Sequence, residues 1–125
     1  MTDPKLTSVM PSLHVEDVPR AVEFYDEFLG FAPVFRNGVT FAIVQRDQIE
    51  LGLIQAAYGR TAPGGAGCYC KLSQGIDALY AEYRARGVPI LHELRDEPYE
   101  MREFMIGDPD GNTINFGQLV PLSSR

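Results

Sequence analysis

The sequence predicts an α+β fold: two βαβββ modules pairing into a curved eight-stranded mixed sheet with helices on its outer face. Two observations lead there. Each half of the chain carries one helix-periodic run ended by glycine, at Gly30 and at Gly87. Around each run sit one short strand before and three after, separated by turn residues.

The first strand lies within Ser8 to His14, which is short and apolar-rich. Acids at Glu16 and Asp17 followed by Pro19 read as a helix start, because proline's missing N–H costs nothing in a first turn. Val18, Ala21, Val22, Tyr25, Phe28 and Leu29 recur at helical spacing, and Gly30 suits the left-handed position that ends a helix. Three strands follow, over Phe31–Arg36, Val39–Gln45 and Gln48–Gln55. Asn37-Gly38 marks one hairpin and Arg46-Asp47 a weaker two-residue turn. Residues 56–66 are Gly/Pro-rich and read as a linker between modules at about 8–55 and 67–118 of one domain, 1–125. The second module repeats the order. Cys68–Ser73 is its first strand, Ile76–Arg86 its helix, and Val88–Leu94, Met101–Gly107 and Asn112–Gln118 its last strands, with Asp108–Gly111 as a tight turn. A near-duplicate unit that cannot close its own core pairs with its copy.

Hairpin arithmetic assigns faces, since cross-strand partners share one. With Arg46-Asp47 as the loop, Phe41, Ile43, Glu50 and Gly52 point one way; Ala42, Val44, Ile49, Leu51 and Leu53 point toward a helix. With Asp108–Gly111 as the loop, Phe104 pairs with Asn115 and Arg102 with Gly117, while Met105, Ile114 and Phe116 take the covered face. One mixed face thus carries Phe41, Glu50, Arg102, Phe104 and Asn115, and a concave face of that kind suits a small ligand.

There are 17 acidic and 11 basic side chains, a net charge of -6. That balance disfavours sequence-independent phosphate binding and docking to anionic lipid, so neither nucleic acid nor membrane is an expected partner. It admits a cationic ligand. No run approaches the ~20 apolar residues of a membrane span, and Met1–Lys5 lacks a leader's basic and apolar regions. Cys68 and Cys70 share a strand face, where a strainless disulfide is disfavoured, so they read as reduced thiols in a cytoplasmic protein. They form either a thiol pair or, as buried cysteines usually do, part of a core. Glu50 reads as a site carboxylate or an exposed strand acid; its pairing with Ile43 favours the site. His14 and His92 have no nucleophile–base spacing and read as surface residues, so no catalytic residue is assigned. The run from Glu93 to Glu103 is a solvated loop or an acidic lid with Tyr99 and Met101. The Asp108-Pro109-Asp110-Gly111-Asn112 stretch is a turn signature.

The stretches LHVEDVPRAVEFYDEFLGF (13–31), QIEL (48–51) and MREFMIGDPDGNTINF (101–116) resemble the vicinal oxygen chelate superfamily of glyoxalases, extradiol dioxygenases and bleomycin-resistance proteins. The resemblance spans roughly residues 8 to 118. It implies that the superfamily's metal-ligand positions fall at Met10, Glu50, Cys68 and Asn115. Only Glu50 is a strong hard-metal ligand among them, so the metal-free, bleomycin-resistance-like branch is the more similar one. Phe35-Arg36 with Gln45-Arg46, and GCYCKL (67–72), resemble that branch too. The resemblance implies a small-molecule binder that sequesters a cationic or aromatic drug-like ligand in a dimer-associated cavity. It also implies no cofactor, Pro11 as a strand-exchange hinge of a homodimer, and ligand contacts from Phe41, Ile43, Glu50, Gly52, Cys68, Arg102, Phe104 and Asn115. The chain has no tryptophan, which departs from the stacking that branch uses; Phe41 and Phe104 are the replacements. The alternative is a metal-dependent lyase, isomerase or oxygenase of the glyoxalase or dioxygenase type.

Overall fold

A computed structural model describes residues 2–125; Met1, at the start of the stretch read as lacking a leader, lies outside them. The first module comprises β1 (Ser12–Val15), α1 (Val18–Glu27), β2 (Ala32–Asn37), β3 (Phe41–Arg46) and β4 (Ile49–Gln55). The second comprises β5 (Gly67–Leu72), α2 (Ile76–Ala85), β6 (Ile90–Asp96), β7 (Met101–Gly107) and β8 (Thr113–Leu119). Asp17 caps α1, its Oδ1 accepting the Arg20 amide at 3.1 Å. Gly30 ends the helical segment at φ 76°. A side chain there would also meet the Arg46 guanidinium, 2.7 Å from the Cβ position, so both backbone and space demand glycine.

The eight strands form two ladders of four, ordered β1-β4-β3-β2 and β5-β8-β7-β6, rather than one continuous ladder. The outer edge of β1 is occupied by loops. The His14 carbonyl accepts the Gly64 amide at 2.8 Å and Asn112 Nδ2 at 3.0 Å, and the Glu16 amide donates to Asp110 Oδ1 at 3.0 Å. With those groups satisfied, β1 and β5 need not pair. Each helix covers one face of its own sheet, and the covered faces share one core containing Leu13, Tyr25, Leu51, Leu53, Tyr83, Phe104, Ile114 and Phe116.

In the first module the faces follow the sequence reading, although the turn is Asp47-Gln48 and Arg46 pairs with Ile49. Glu50 therefore opposes Gln45, and Ile43 opposes Gly52. The shift of two residues preserves every side-chain direction. Ala42, Val44, Leu51 and Leu53 are wholly buried under α1.

The second module differs by one residue, and that inverts a strand. Gly107 pairs with Thr113, so the loop is 108–112, and Met105 faces Asn115 while Phe104 faces Phe116. Asn112 is drawn into the loop because Asp108 holds it: Asp108 Oδ1 accepts the Asn112 amide at 2.8 Å and Oδ2 accepts Asn112 Nδ2 at 2.9 Å. A one-residue slip moves each side chain to the opposite face. Phe104, expected on the mixed face, is 1% exposed. Its ring centroid lies 5.1 Å from that of Tyr80 and 5.3 Å from that of Phe116. Arg102 also lies on the helix side, its Nε donating to Asp96 Oδ1 at 2.7 Å and its Nη1 to Asp77 Oδ2 at 3.3 Å. Met105, expected under the helix, is on the uncovered side. Cys68 pairs with the buried Ile114 and so faces the core, with Cys70 deeper on the same side.

Arg46 and Glu82 brace the two modules: Nη1 lies 2.7 Å from Glu82 Oε2 and donates to the Leu29 carbonyl at 2.8 Å. The hydrogen bond to Arg46 holds the Glu82 carboxyl below the usual carboxylate range.

Two expectations follow. Phe104→Ala opens the shared core and lowers stability by about 3–5 kcal/mol, read as a lower urea midpoint. A loss under 1 kcal/mol would return Phe104 to the open face. Because Glu82 titrates lower folded than unfolded, its contribution is complete above the unfolded value of about 4.3 and fades as pH falls toward the folded one. Wild type therefore exceeds Glu82→Gln by up to about 1 kcal/mol at neutral pH, and urea unfolding shows the gap narrowing as pH falls below about 4.3.

Candidate functional site

Each sheet leaves one face uncovered, and these two faces carry the side chains the core does not use. On the first, Phe41, Ile43, Glu50 and Gly52 come together as expected from sequence. Gly52 forms the floor: a Cβ there would sit 3.3 Å from both Met10 Cε and Phe41 Cε1. The Phe35 ring lies 6.2 Å from Phe41, so an aromatic pair stands over this floor with both Phe35 and Glu50 open to solvent. His14 adjoins the segment after β4, its imidazole 3.2 Å from the Cβ position of Gly59.

The second uncovered face has a different character. A hollow of about 270 Å³ is lined by His92, Arg95, Tyr99, Glu103, Met105 and Asn115 among others. Strand alternation brings Tyr69, Asn115 and Gly117 to this side, opposite Cys68 and Cys70. Gly117 is essential to its shape, because a side chain there would collide with the Tyr69 hydroxyl. With that space free, Tyr69 reaches across β8 to donate to Glu103 Oε2. Tyr99, from the turn between β6 and β7, donates to Glu103 Oε1. The bond to Glu103 pushes the Tyr99 hydroxyl up to about 12. Burial, then the same carboxylate, push the Tyr69 hydroxyl above the ordinary phenol range. Arg95 is engaged by Glu97.

Of the residues proposed from sequence, four thus share the first face, Asn115 lies on the second, and Cys68, Arg102 and Phe104 turn toward the covered side. Phe35, Tyr69, Glu103 and Met105 were not singled out for the site. The alternation Gly67, Tyr69, Lys71 against Cys68, Cys70, Leu72 carried the signal for Tyr69. Glu103 and Met105 needed the correct β7 register.

The positions at which the superfamily holds a metal do not fit one here. Met10 offers a thioether, Asn115 a neutral amide on the other sheet, and the Cys68 thiol faces the core; Glu50 alone is a hard anionic donor. Among the described residues, no three His, Cys, Asp or Glu side chains group as a metal site. A larger cleft of about 610 Å³ runs between the β3–β4 turn and the start of α2. Its floor is the shared core and the Arg46–Glu82 brace, which marks it as the seam between modules. No helix among the described residues is long and apolar enough to cross a membrane.

Comparison with known proteins agrees with this architecture. The chain is 29% identical over 130 residues to the bleomycin resistance protein of Geobacillus stearothermophilus, covering 89% of this chain and 96% of the relative. The bleomycin-binding protein of Streptomyces verticillus, solved with copper(II)-bleomycin, superposes with a TM-score of 0.73 at 27% identity, covering 91% of this chain and 97% of that one. Lactoylglutathione lyase from Agrobacterium tumefaciens shares the fold with a TM-score of 0.77 at 18% identity, covering 92% and 96%. The paired βαβββ modules are matched over residues 5–116 by the profile of one family, and the chain belongs to it: the Glyoxalase/Bleomycin resistance protein/Dioxygenase superfamily.

Proposed function

We propose that this chain binds a cationic or aromatic drug-like molecule on its uncovered sheet faces and acts by sequestering it, with neither metal nor covalent chemistry. The observation that carries the reading is the pair of open faces, each combining aromatic rings with a carboxylate: Phe35, Phe41 and Glu50 on one, Tyr69, Tyr99 and Glu103 on the other. Aromatic surfaces supply most of the contact energy in such sites, and a few polar groups orient the ligand. The ligand-contact set includes Phe41, Ile43, Glu50, Gly52 and Asn115. Similarity to bleomycin-resistance proteins supports a drug as the ligand class, and the net charge of -6 supports a cation.

The working unit in this reading is a cytoplasmic homodimer in which a face from each subunit closes over the ligand. Supporting it, residues 2–9 run as an exposed arm with Leu6 and Val9 almost wholly in solvent. The Pro11 carbonyl accepts the Gly52 amide at 2.8 Å, which anchors the arm where it leaves β1. Pro11 is then the hinge over which the arm passes to a second copy.

Calorimetric titration with bleomycin and a panel of cationic drugs tests the function. Saturable binding is expected, and Glu50→Gln weakens it about 3- to 10-fold, the worth of one exposed charge. Absence of binding across the panel overturns the drug-binding reading. Stoichiometric iron, nickel, manganese or zinc in protein purified without chelator would favour a glyoxalase- or dioxygenase-type enzyme instead.

A further inference from the structure

We infer that Tyr69, Tyr99 and Glu103 form a recognition subsite for an organic cation, of the quaternary ammonium class, on the uncovered face of the second sheet. The inference deepens the small-molecule-binding reading and rests on it.

Three separate elements deliver these side chains: β5 brings Tyr69, the turn before β7 brings Tyr99, and β7 itself brings Glu103. Each carboxylate oxygen of Glu103 accepts one phenol, so the acid is held between two rings. Both hydroxyl protons are thereby turned inward. A ligand entering the hollow meets Tyr99, 59% exposed, on its wall, while Tyr69, 41% exposed, stands beside the hollow where its hydroxyl reaches Glu103. Ring faces carry the negative side of the aromatic quadrupole and attract cations. A phenol donating to a carboxylate is further polarised in the same sense.

The surrounding charges favour the same ligand. Arg95, whose position in β6 opposes Glu103, is paired with Glu97, so its single charge is shared between that acid and Glu103. Lys71, on the same face of β5, lines the seam cleft and not this hollow. Glu93, Glu97 and Glu103 all line the hollow, and Arg95 is the one Lys or Arg among its lining residues. A quaternary ammonium suits the hollow because it has no N–H and needs no hydrogen-bond acceptor, and both Glu103 oxygens already accept a phenol. Field and ring surface are what remain to bind it. The hollow, at about 270 Å³, has room for such a headgroup and for part of what it is attached to.

Gly117 makes the arrangement possible, since any side chain there displaces Tyr69 from Glu103. The subsite is therefore a property of β8 as much as of the residues that touch the ligand.

Choline and its uncharged tert-butyl isostere, dimethylbutanol, provide the test, with affinities read from nitrogen–proton correlation spectra of the whole protein. Choline is expected to bind at least about tenfold more tightly than the isostere, shifting resonances around Tyr69, Tyr99 and Glu103. Glu103→Gln, which keeps the shape, reduces that preference to within about twofold. Tyr99→Ala, at a residue 59% exposed, weakens choline several-fold and the isostere less, so the preference falls. Equal binding of the two probes by wild type, or an undiminished preference in both variants, overturns the subsite. Bleomycin titration of the same protein separates the two levels. Drug binding without choline preference removes the subsite alone; choline preference without drug binding keeps the subsite and removes bleomycin-type sequestration.

Discussion

The Asp108 carboxylate accepts hydrogen bonds from four donors at the point where the two modules meet: the amides of Asp110 and Asn112, Asn112 Nδ2 and the Tyr25 hydroxyl. Tyr25 belongs to α1 and Asp108 to the loop after β7, so one buried acid ties the helix of the first half to the last hairpin of the second. Asn112, wholly buried, completes the junction by donating to the His14 carbonyl and accepting the Ala66 amide. A buried carboxylate is costly to desolvate and is tolerated where its lone pairs are all used. Removing any one partner leaves others stranded, which concentrates the specificity of the module arrangement in this one loop. Burial, and then Asp108, push the Tyr25 hydroxyl far above the ordinary phenol range, so it remains a proton donor to that acid across any physiological pH.

A second tie stands about one turn further on, just past the end of α1. The Leu29 carbonyl accepts both Arg46 Nη1 and the Tyr83 hydroxyl, the latter at 2.8 Å, while Arg46 reaches Glu82 on α2. With the C-terminal end of α1 fastened twice to the other module, the covered faces of both sheets are committed to one core. The uncovered faces must then be left to solvent or to something else. That division of surfaces follows from the two ties, and it leaves a chain of 125 residues with two uncovered sheet faces.

Much of this was readable from residue order. The repeat, the glycine-ended helices and the face assignments of β3 and β4 follow from periodicity, which tolerates an error of two residues without changing a side chain's direction. The reading failed at β7, where a five-residue loop stood in for a four-residue turn. The cause is Asn112: read as the first residue of a strand, it is instead held in the loop by Asp108 and by the distant His14 carbonyl and Ala66 amide, contacts with no periodic trace. Arg102 and Phe104 changed faces with it, and Glu103 and Met105 entered the site. Tyr69 escaped notice for another reason. Its path depends on the missing side chain of Gly117 on a neighbouring strand, and a local pattern does not connect residues 69 and 117.

The two modules have kept one backbone plan while their open faces have taken different chemistry. Phe35, Phe41, Met10 and Gly52 make the first a shallow apolar platform with one acid at its edge. Tyr69, Tyr99 and Glu103 make the second a cup in which the acid is central and the rings flank it. In the proposed dimer, where a face from each subunit closes over the ligand, an amphiphilic cation would lay its apolar body on the first and its charge in the second. Such an arrangement accounts for how a chain without tryptophan could hold a drug-sized cation: stacking and charge recognition are divided between two sheets, so neither face needs a large aromatic surface of its own. It also gives Gly52 and Gly117 related tasks. Gly52 keeps a floor open beneath Met10 and Phe41; Gly117 lets Tyr69 lie over β8 and clasp Glu103.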